Sequence, residues 1–209
     1  MPTEASPALG APDTWVAPLA RAVPALVLGL VVTFSQDHSA RLGLVGFGVF
    51  AVVTAAVLLA SGLRADRGLR GVVLIQGVVT AAAGIAALVL PGGGIGYLVS
   101  VVSAWAIIAG ALETVDGIRF RRTRPAARDW LVTGVLTVAL GLAFLLVPQT
   151  FADPYSVEDK GQTISGTVTA DILLVGILGA WAVLVGVQLA IAAVTLRTPR
   201  PAEAKAVGA

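Results

Sequence analysis

Six apolar stretches, each long enough to cross a membrane as a helix, constrain the fold of this chain more than any other feature. They lie at about 17–34, 42–63, 71–90, 96–118, 130–147 and 172–195. A bilayer core about 30 Å thick needs roughly 20 apolar residues per helix. Only 12% of the 209 residues are charged, against about 25% in a soluble domain. The sequence therefore predicts an all-α polytopic membrane protein with six transmembrane helices, surrounded by the lipid bilayer.

The connections between these stretches alternate in charge. The basic ones are 64–70, 119–128 and the end of the chain after Thr195, whereas 35–41, 91–95 and 148–171 hold only Arg41 and Lys160. Lys and Arg favour the cytoplasmic side of short loops, so both termini are predicted to be cytoplasmic, in the inner (plasma) membrane of a cell. The first stretch could instead be a signal peptide, but no convincing small-x-small cleavage site follows it.

This pattern divides the chain into three parts. A cytoplasmic N-terminal tail covers 1–16, a six-helix membrane domain covers 17–197, and a cytoplasmic C-terminal tail covers 198–209. Within the membrane domain, helical hairpins are predicted at about 17–63, 71–118 and 130–195, with an extracytoplasmic insertion at 148–171. The Thr, Val and Ile content of "QTISGTVT" in this insertion indicates a short β-hairpin.

The hairpins repeat one another in sequence. "GVVTAAAGIAALVLP" returns as "GVLTVALGLAFLLVP", and "AWAIIAG" returns as "AWAVLVG". The shared positions are Gly77, Gly84, Pro91, Trp105 and Gly110, then Gly134, Gly141, Pro148, Trp181 and Gly186. The first hairpin is a diverged copy with Ala22, Gly29 and Gln36 at matching places. Glycines two helical turns apart form a stripe that lets helices approach closely. We therefore expect three parallel hairpin repeats in a pseudo-threefold bundle, with the first, third and fifth helices near one another.

These repeats resemble a known family. A basic turn, "RGVVLIQGVVTAAAGIAALVLP", a short loop, "AWAIIAGALETVDGIRF" and a second round ending in "GAWAVLVGVQLAIAAVTLR" are similar to the HdeD-like acid-resistance membrane proteins, over roughly residues 68–197. The resemblance implies an inner-membrane protein associated with survival under acid or related stress, without an established enzymatic activity. The insertion at 148–171 is longer than this family's pattern.

Ionisable side chains inside the predicted helices are the candidate functional residues. Glu113, Asp116, Arg119 and Arg122 follow one another at i+3 spacing, near one helix face. In the structural interpretation the carboxylates pair with these arginines. In the functional one, Glu113 titrates or binds a polar group inside the bundle, because buried ionisable groups are costly and often functional. Family resemblance favours a structural role for Asp116.

Other polar and aromatic residues have simpler interpretations. We expect the amides of Gln76 and Gln188 to join helices by hydrogen bonds rather than line a pore. The two repeated tryptophans lie near mid-span and are expected to pack between hairpins. We expect His38, in the first outer loop, to be solvated rather than to act as an acid sensor, although histidine charges in mild acid.

Several functions are excluded or disfavoured by what the chain contains. It has no cysteine and one histidine, so we expect no metal site, and no cofactor is predicted. We expect no catalytic residues, because the chain offers no Ser/His/Asp arrangement and its spans place no paired carboxylates opposite a nucleophile. The short basic segments argue against nucleic-acid binding. The main prediction is a non-enzymatic membrane protein linked to acid or envelope stress, acting by packing, by partner binding or on the membrane, with a homo-oligomer or an envelope protein as a possible partner. The alternative is a small solute or proton transporter or channel that uses Glu113 and Asp116, and a lipid enzyme is the least favoured.

Overall fold

A computed structural model of the protein describes residues 15–159 and 162–197. Within this part of the chain, six α-helices and one β-hairpin follow in the order α1 (Val16–Phe34), α2 (Ala40–Arg64), α3 (Arg67–Val89), α4 (Gly94–Phe120), α5 (Ala127–Leu146), β1 (Ala152–Asp159), β2 (Gln162–Thr169) and α6 (Ala170–Arg197). The C-terminal tail predicted at 198–209, and most of the N-terminal tail, lie outside these residues.

Each predicted apolar stretch corresponds to one helix, and all six described helices are long and apolar enough to cross a membrane. Even the shortest, α1, has 19 residues, which is about 28 Å at 1.5 Å per residue. Large apolar side chains such as Val78 and Leu145 point outward, as expected of surfaces that face lipid. The prediction of an all-α polytopic membrane protein is confirmed.

The helices close into a ring because each hairpin packs on the next. The most extensive contacts join α2 to α3, α4 to α5 and α6 to α1, whereas the two helices of one hairpin contact each other less. The guanidinium of Arg197 at the end of α6 lies over the ring of Trp15 beside α1, 5.3 Å from its centroid. The last helix thus contacts the first in the way that α2 contacts α3.

The second helix of each hairpin lies toward the centre of this ring. About half of each of α2, α4 and α6 is buried (50%, 44% and 50% of their most apolar windows), against 33%, 28% and 33% for α1, α3 and α5. The expectation that the first, third and fifth helices lie near one another is therefore wrong. Their glycine stripes pack on the second helix of the preceding hairpin, and bulky side chains of α2, α4 and α6 fill the centre.

Buried residues at matching repeat positions form layers along the central axis. Starting from the end of the bundle opposite the arginine-rich connections, the layers are Leu44, Val99 and Val175; Phe47, Val102 and Leu178; Phe50, Trp105 and Trp181; Thr54, Ala109 and Val185; Leu58, Glu113 and Leu189; and Ser61, Asp116 and Ala192. The first three layers are apolar or aromatic, and all charged members lie in the last two. This spacing of matching buried residues agrees with the predicted pseudo-threefold arrangement.

We call the two ends of the bundle the basic face and the hairpin face. The basic face carries the connections 65–66 and 121–126 and the helix ends beside them. The hairpin face carries the short connections 35–39 and 90–93 and the antiparallel pair of β1 and β2, in register from Ala152 opposite Thr169 to Asp159 opposite Gln162. A β-hairpin therefore forms in the insertion, as expected, but it uses both halves of the segment.

Candidate functional site

A buried ion pair lies in the half of the bundle nearer the basic face. Glu113 of α4 is only 5% exposed, and its Oε1 and Oε2 accept hydrogen bonds from Nη1 and Nη2 of Arg21 of α1 at 2.8 and 3.2 Å. Nε2 of Gln76 of α3 donates to the same carboxylate at 3.3 Å. Three helices from two hairpins thus meet at one carboxylate, held in the two-pronged geometry that arginine and carboxylate prefer.

The repeat explains how these side chains come together. Arg21, Gln76 and Thr133 each precede the first small residue of their hairpin's packing stripe, namely Ala22, Gly77 and Gly134. They occupy one ring around the axis, and the three hairpins supply a cation, an amide and a hydroxyl to it. On the second helices, Glu113 takes the place that leucine holds at 58 and 189.

This arrangement differs from the pairing considered from the sequence. The ion pair of Glu113 is with Arg21, on another helix, rather than with Arg119 or Arg122. The guanidinium of Arg119 instead lies over the ring of Phe120, 5.3 Å from its centroid, and Arg122 is exposed at the basic face. The i+3 spacing indicates proximity only along one helix, so the partner on α1 was missed.

A cavity of about 60 Å³, which we call the vestibule, lies at the basic face beside the ion pair. Its polar lining comprises Arg21, Ser61, Gln76, Glu113, Asp116, Asp129 and Trp130, and its apolar lining includes Ala17, Leu69 and Leu196. Of the predicted polar residues, Glu113, Asp116 and Gln76 therefore share one cavity. Gln188 does not line it, but its Nε2 donates to Oδ1 of Asp129, which does, at 3.1 Å.

A second, smaller cavity, which we call the inner chamber, lies deeper along the axis and has a volume of about 20 Å³. The two cavities adjoin at the ion pair, because five residues line both of them: Arg21, Leu58, Gln76, Glu113 and Leu189. The far end of the inner chamber is formed by Phe50, Trp105 and Trp181.

These three residues, which we call the aromatic layer, close the axis near the middle of α2, α4 and α6. Every pair among them is edge-to-face, with ring centroids 5.5 Å apart for Phe50 and Trp181, 5.6 Å for Trp105 and Trp181, and 5.9 Å for Phe50 and Trp105. Such geometry matches the preference of aromatic quadrupoles. Phe47 packs behind them against Trp105, and the tryptophans of the repeat motif therefore lie at the centre of the bundle.

The glycines of the repeat motif lie where helices of neighbouring hairpins touch. A Cβ atom on Gly84 would lie 3.0 Å from the backbone nitrogen of Val52, and one on Gly141 would lie 3.2 Å from that of Ile107. The other motif glycines are similarly close to a neighbour: Gly77 to Leu59, Gly134 to Thr114, Gly110 to Val138 and Gly186 to Leu26. Pro91 and Pro148 follow the ends of α3 and α5, where the chain turns at the hairpin face.

Two carboxylates outside the spans have perturbed pKa values. The pKa of Asp66, which caps α3, is lowered chiefly by a hydrogen bond from the Arg124 side chain. The pKa of Asp37 is lowered by hydrogen bonds from the backbone and side chain of Ser39. His38 lies beside Asp37 at the hairpin face, remote from the ion pair. No group of three or more His, Asp or Glu side chains placed to hold a metal occurs among residues 15–159 and 162–197.

Comparison with known proteins gives one match. Residues 75–146 match the family model described as "Short repeat of unknown function (DUF308)", a membrane-protein repeat family that includes HdeD-like proteins. The matched segment runs from the third turn of α3 through α4 to the end of α5. The comparison with curated proteins found no match, and neither did the comparison with solved structures. Fold and match together define an integral membrane protein built from helical repeats.

Proposed function

We propose that this protein is a non-catalytic plasma-membrane protein that helps a cell tolerate acid or related stress on its envelope. The repeat family matched by residues 75–146 includes HdeD-like proteins, and the sequence resemblance to them extends over roughly 68–197. The single structural observation that carries the proposal is the buried ion pair of Arg21 and Glu113. It gives acid a direct way to act on the packing of the bundle.

The reason is electrostatic. The pair consists of two opposite charges in a largely apolar surrounding, and it stays neutral as a whole only while Glu113 is ionised. A proton on Glu113 would leave the charge of Arg21 without a counter-charge in direct contact, which is strongly unfavourable in such a place. The other amide and ionisable groups that face this site are Gln76 from α3 and the carboxylates of Asp116 and Asp129. Protonation would therefore favour a changed docking of α1 against α4.

The stress role is tested by survival in acid. A strain lacking the protein would be complemented with the wild type, with Glu113→Gln, or with Glu158→Gln, an exposed carboxylate of the β-hairpin, at matched membrane levels. We expect the wild type and Glu158→Gln to restore survival and Glu113→Gln to fail. Equal survival with and without the wild-type protein would overturn the stress role. Full rescue by Glu113→Gln would remove the ion pair from it.

A second function, a pathway for protons or a small polar solute, is favoured by one specific observation. Glu113, Asp116 and Gln76 line the same vestibule, as a relay of polar groups into the membrane requires. Such a pathway also needs the aromatic layer to open during transport, because the rings close the axis.

Flux into proteoliposomes across an imposed pH gradient tests this pathway. The wild type, Glu113→Gln and Asp116→Asn would be compared with empty liposomes. Proton flux that is present in the wild type and lost in Glu113→Gln would support the pathway. Wild-type flux equal to that of empty liposomes would contradict it and leave a closed bundle that acts through packing or partners.

A further inference from the structure

The inner chamber contains buried polar atoms that have no hydrogen-bond partner among residues 15–159 and 162–197. They are Oγ1 of Thr54, Oγ1 of Thr133, Nε1 of Trp181 and Nε of Arg21, and all four residues line the chamber. Thr54, Thr133 and Trp181 are more than nine-tenths buried. An unpaired polar group in an apolar interior is costly, so several such groups around one cavity indicate a polar occupant.

The two repeated tryptophans differ in this respect. Nε1 of Trp105 donates to Oγ1 of Thr80 at 3.1 Å, which satisfies its only donor. Thr137 stands at the place equivalent to Thr80, but its hydroxyl donates to the carbonyl of Thr133 at 2.8 Å and is not bonded to Trp181. The indole N–H of Trp181 is thereby left for an acceptor in the chamber.

Size and hydrogen-bonding capacity identify the occupant. Tryptophan and arginine N–H groups only donate, whereas threonine hydroxyls both donate and accept. One water molecule can accept two hydrogen bonds and donate two, and it needs roughly 10–15 Å³ of cavity volume. The chamber has about 20 Å³. An anion of similar size would accept from all four groups, but it would face the Glu113 carboxylate in the chamber wall.

We infer that the inner chamber binds water and that, together with the vestibule, it forms an aqueous half-channel that leads from the basic face to the aromatic layer. Water reaches Glu113 from the basic face only, because the aromatic layer and the two apolar layers behind it close the other side. The inference does not depend on the stress role or on transport. It specifies that a proton can reach the buried carboxylate of Glu113 only from the side of the basic face.

The chain has no cysteine, so single cysteines can probe this half-channel without background labelling. Thr54→Cys and Thr133→Cys place a thiol in the chamber. Val102→Cys places one in the closed half, and Val53→Cys places one on the lipid-facing side next to Thr54. The probe is the silver ion, which is small and reacts with thiols. After the silver reaction the protein is denatured and treated with a maleimide, and cysteines that silver has modified are protected from this labelling.

We expect silver to modify the cysteines at 54 and 133 at least about tenfold faster than those at 102 and 53, because an ion enters apolar regions at high cost. In sealed vesicles of known orientation, the reaction should occur only when silver is added at the basic face. Rates at 54 and 133 equal to the rate at 102 would overturn the water site. Reaction from both faces would overturn the half-channel.

A second measurement needs no cysteine variant. In protein labelled with ¹⁵N-tryptophan, magnetisation transfer from water should reach the indole proton of Trp181 and not that of Trp105, the two signals being assigned with Trp→Phe variants. Trp105 is the matched control because it occupies the same repeat position and has a protein acceptor. If the indole protons of Trp105 and Trp181 were equally protected from magnetisation transfer from water, the inference would be contradicted, even if every cysteine variant failed to fold.

Discussion

Glu113 stands where the other two hairpins have leucine, and this single exchange introduces charge into an otherwise apolar layer. The exchange is tolerated because Arg21 occupies the corresponding ring on the first helices, at bidentate distance. The two leucines of the same layer, Leu58 and Leu189, lie beside the pair and line the same two cavities. The repeat thus supplies the geometry of the site, and two substitutions within the repeat supply its chemistry.

The coupling between these two residues can be measured by a double-mutant cycle. We expect Arg21→Leu or Glu113→Leu alone to lower the free energy of unfolding by about 3–5 kcal/mol, since each leaves one buried charge unpaired. The double variant should be more stable than either single one, because leucine is the residue that the layer already contains. Thermal or denaturant unfolding in detergent would measure this. Strictly additive losses would contradict a direct pair.

The sequence predicted the carboxylates of this site but not the arginine that pairs with Glu113, for a physical reason. Helical spacing relates residues within one helix, and it correctly brings Glu113 and Asp116 to one cavity. Arg21 is 92 residues away from its partner, so only the repeat register could have revealed it. Because the first hairpin has diverged most, its sequence gives little indication that Arg21 is equivalent to Gln76 and Thr133. The equivalence becomes clear when the structure places the three residues in one ring.

At the scale of the helix, the glycine stripes determine which elements pack together. Gly134 of α5 faces Gly110 of α4, and a Cβ on Gly134 would lie 2.5 Å from the backbone nitrogen of Thr114. Neither backbone can yield without separating the two helices. The stripe was recognisable in the sequence as a packing surface. Its partner was not, because small residues fit any close neighbour, and the structure shows that the partner is the preceding hairpin.

Gly134→Ala tests the α4–α5 contact. We expect it to lower the free energy of unfolding by about 1–3 kcal/mol, the usual cost of overpacking a well-packed site. Gly176→Ala in α6 is the matched control, since no atom of the described residues lies within 4 Å of its added Cβ and alanine favours a helix by up to about 1 kcal/mol. Unfolding in detergent would compare them. Equal stability of the two variants would show that the stripe is not tightly packed.

Asp66 connects two loops at the basic face. Its carboxylate accepts from the backbone nitrogens of Gly68 and Leu69 at the start of α3 and from the side chain of Arg124, in the connection between α4 and α5. Its pKa is lowered from the ordinary 3.8 in the folded protein. The carboxylate therefore stabilises the fold above that value, and this stabilisation is lost as the pH falls through the lowered pKa.

Two variants of Asp66 distinguish the contribution of its helix-capping oxygen from that of its negative charge. Asp66→Ser keeps a side-chain oxygen that can cap α3 and removes the carboxylate, whereas Asp66→Ala removes both. We expect both to melt below the wild type at pH 7, with Asp66→Ala the lower. The difference in melting temperature between the wild type and Asp66→Ser should shrink as the pH falls toward and below 3.8. A gap independent of pH would show that the charge of Asp66 contributes nothing.

Across the whole molecule, polarity is distributed unevenly along the central axis. The two axial cavities, the ion pair and the buried carboxylate of Asp116 lie between the aromatic layer and the basic face, and the other half is filled mainly with aliphatic and aromatic side chains. The orientation of the protein in its membrane therefore decides which compartment can reach Glu113. The fold and its internal contacts are the same for either orientation in the membrane, so they do not determine which compartment this is.

The distribution of arginine predicts that orientation. Most described arginines lie at the basic face, and short cytoplasmic loops are enriched in Lys and Arg, so we expect this face in the cytoplasm. Single cysteines at Thr123, in the basic connection, and at Tyr155, in the β-hairpin, provide matched exposed positions. In intact cells, a membrane-impermeant maleimide should label Tyr155→Cys at once and Thr123→Cys only after permeabilisation. Acid would then act on Glu113 through cytoplasmic acidification, and the opposite labelling pattern would place the vestibule in direct contact with the medium.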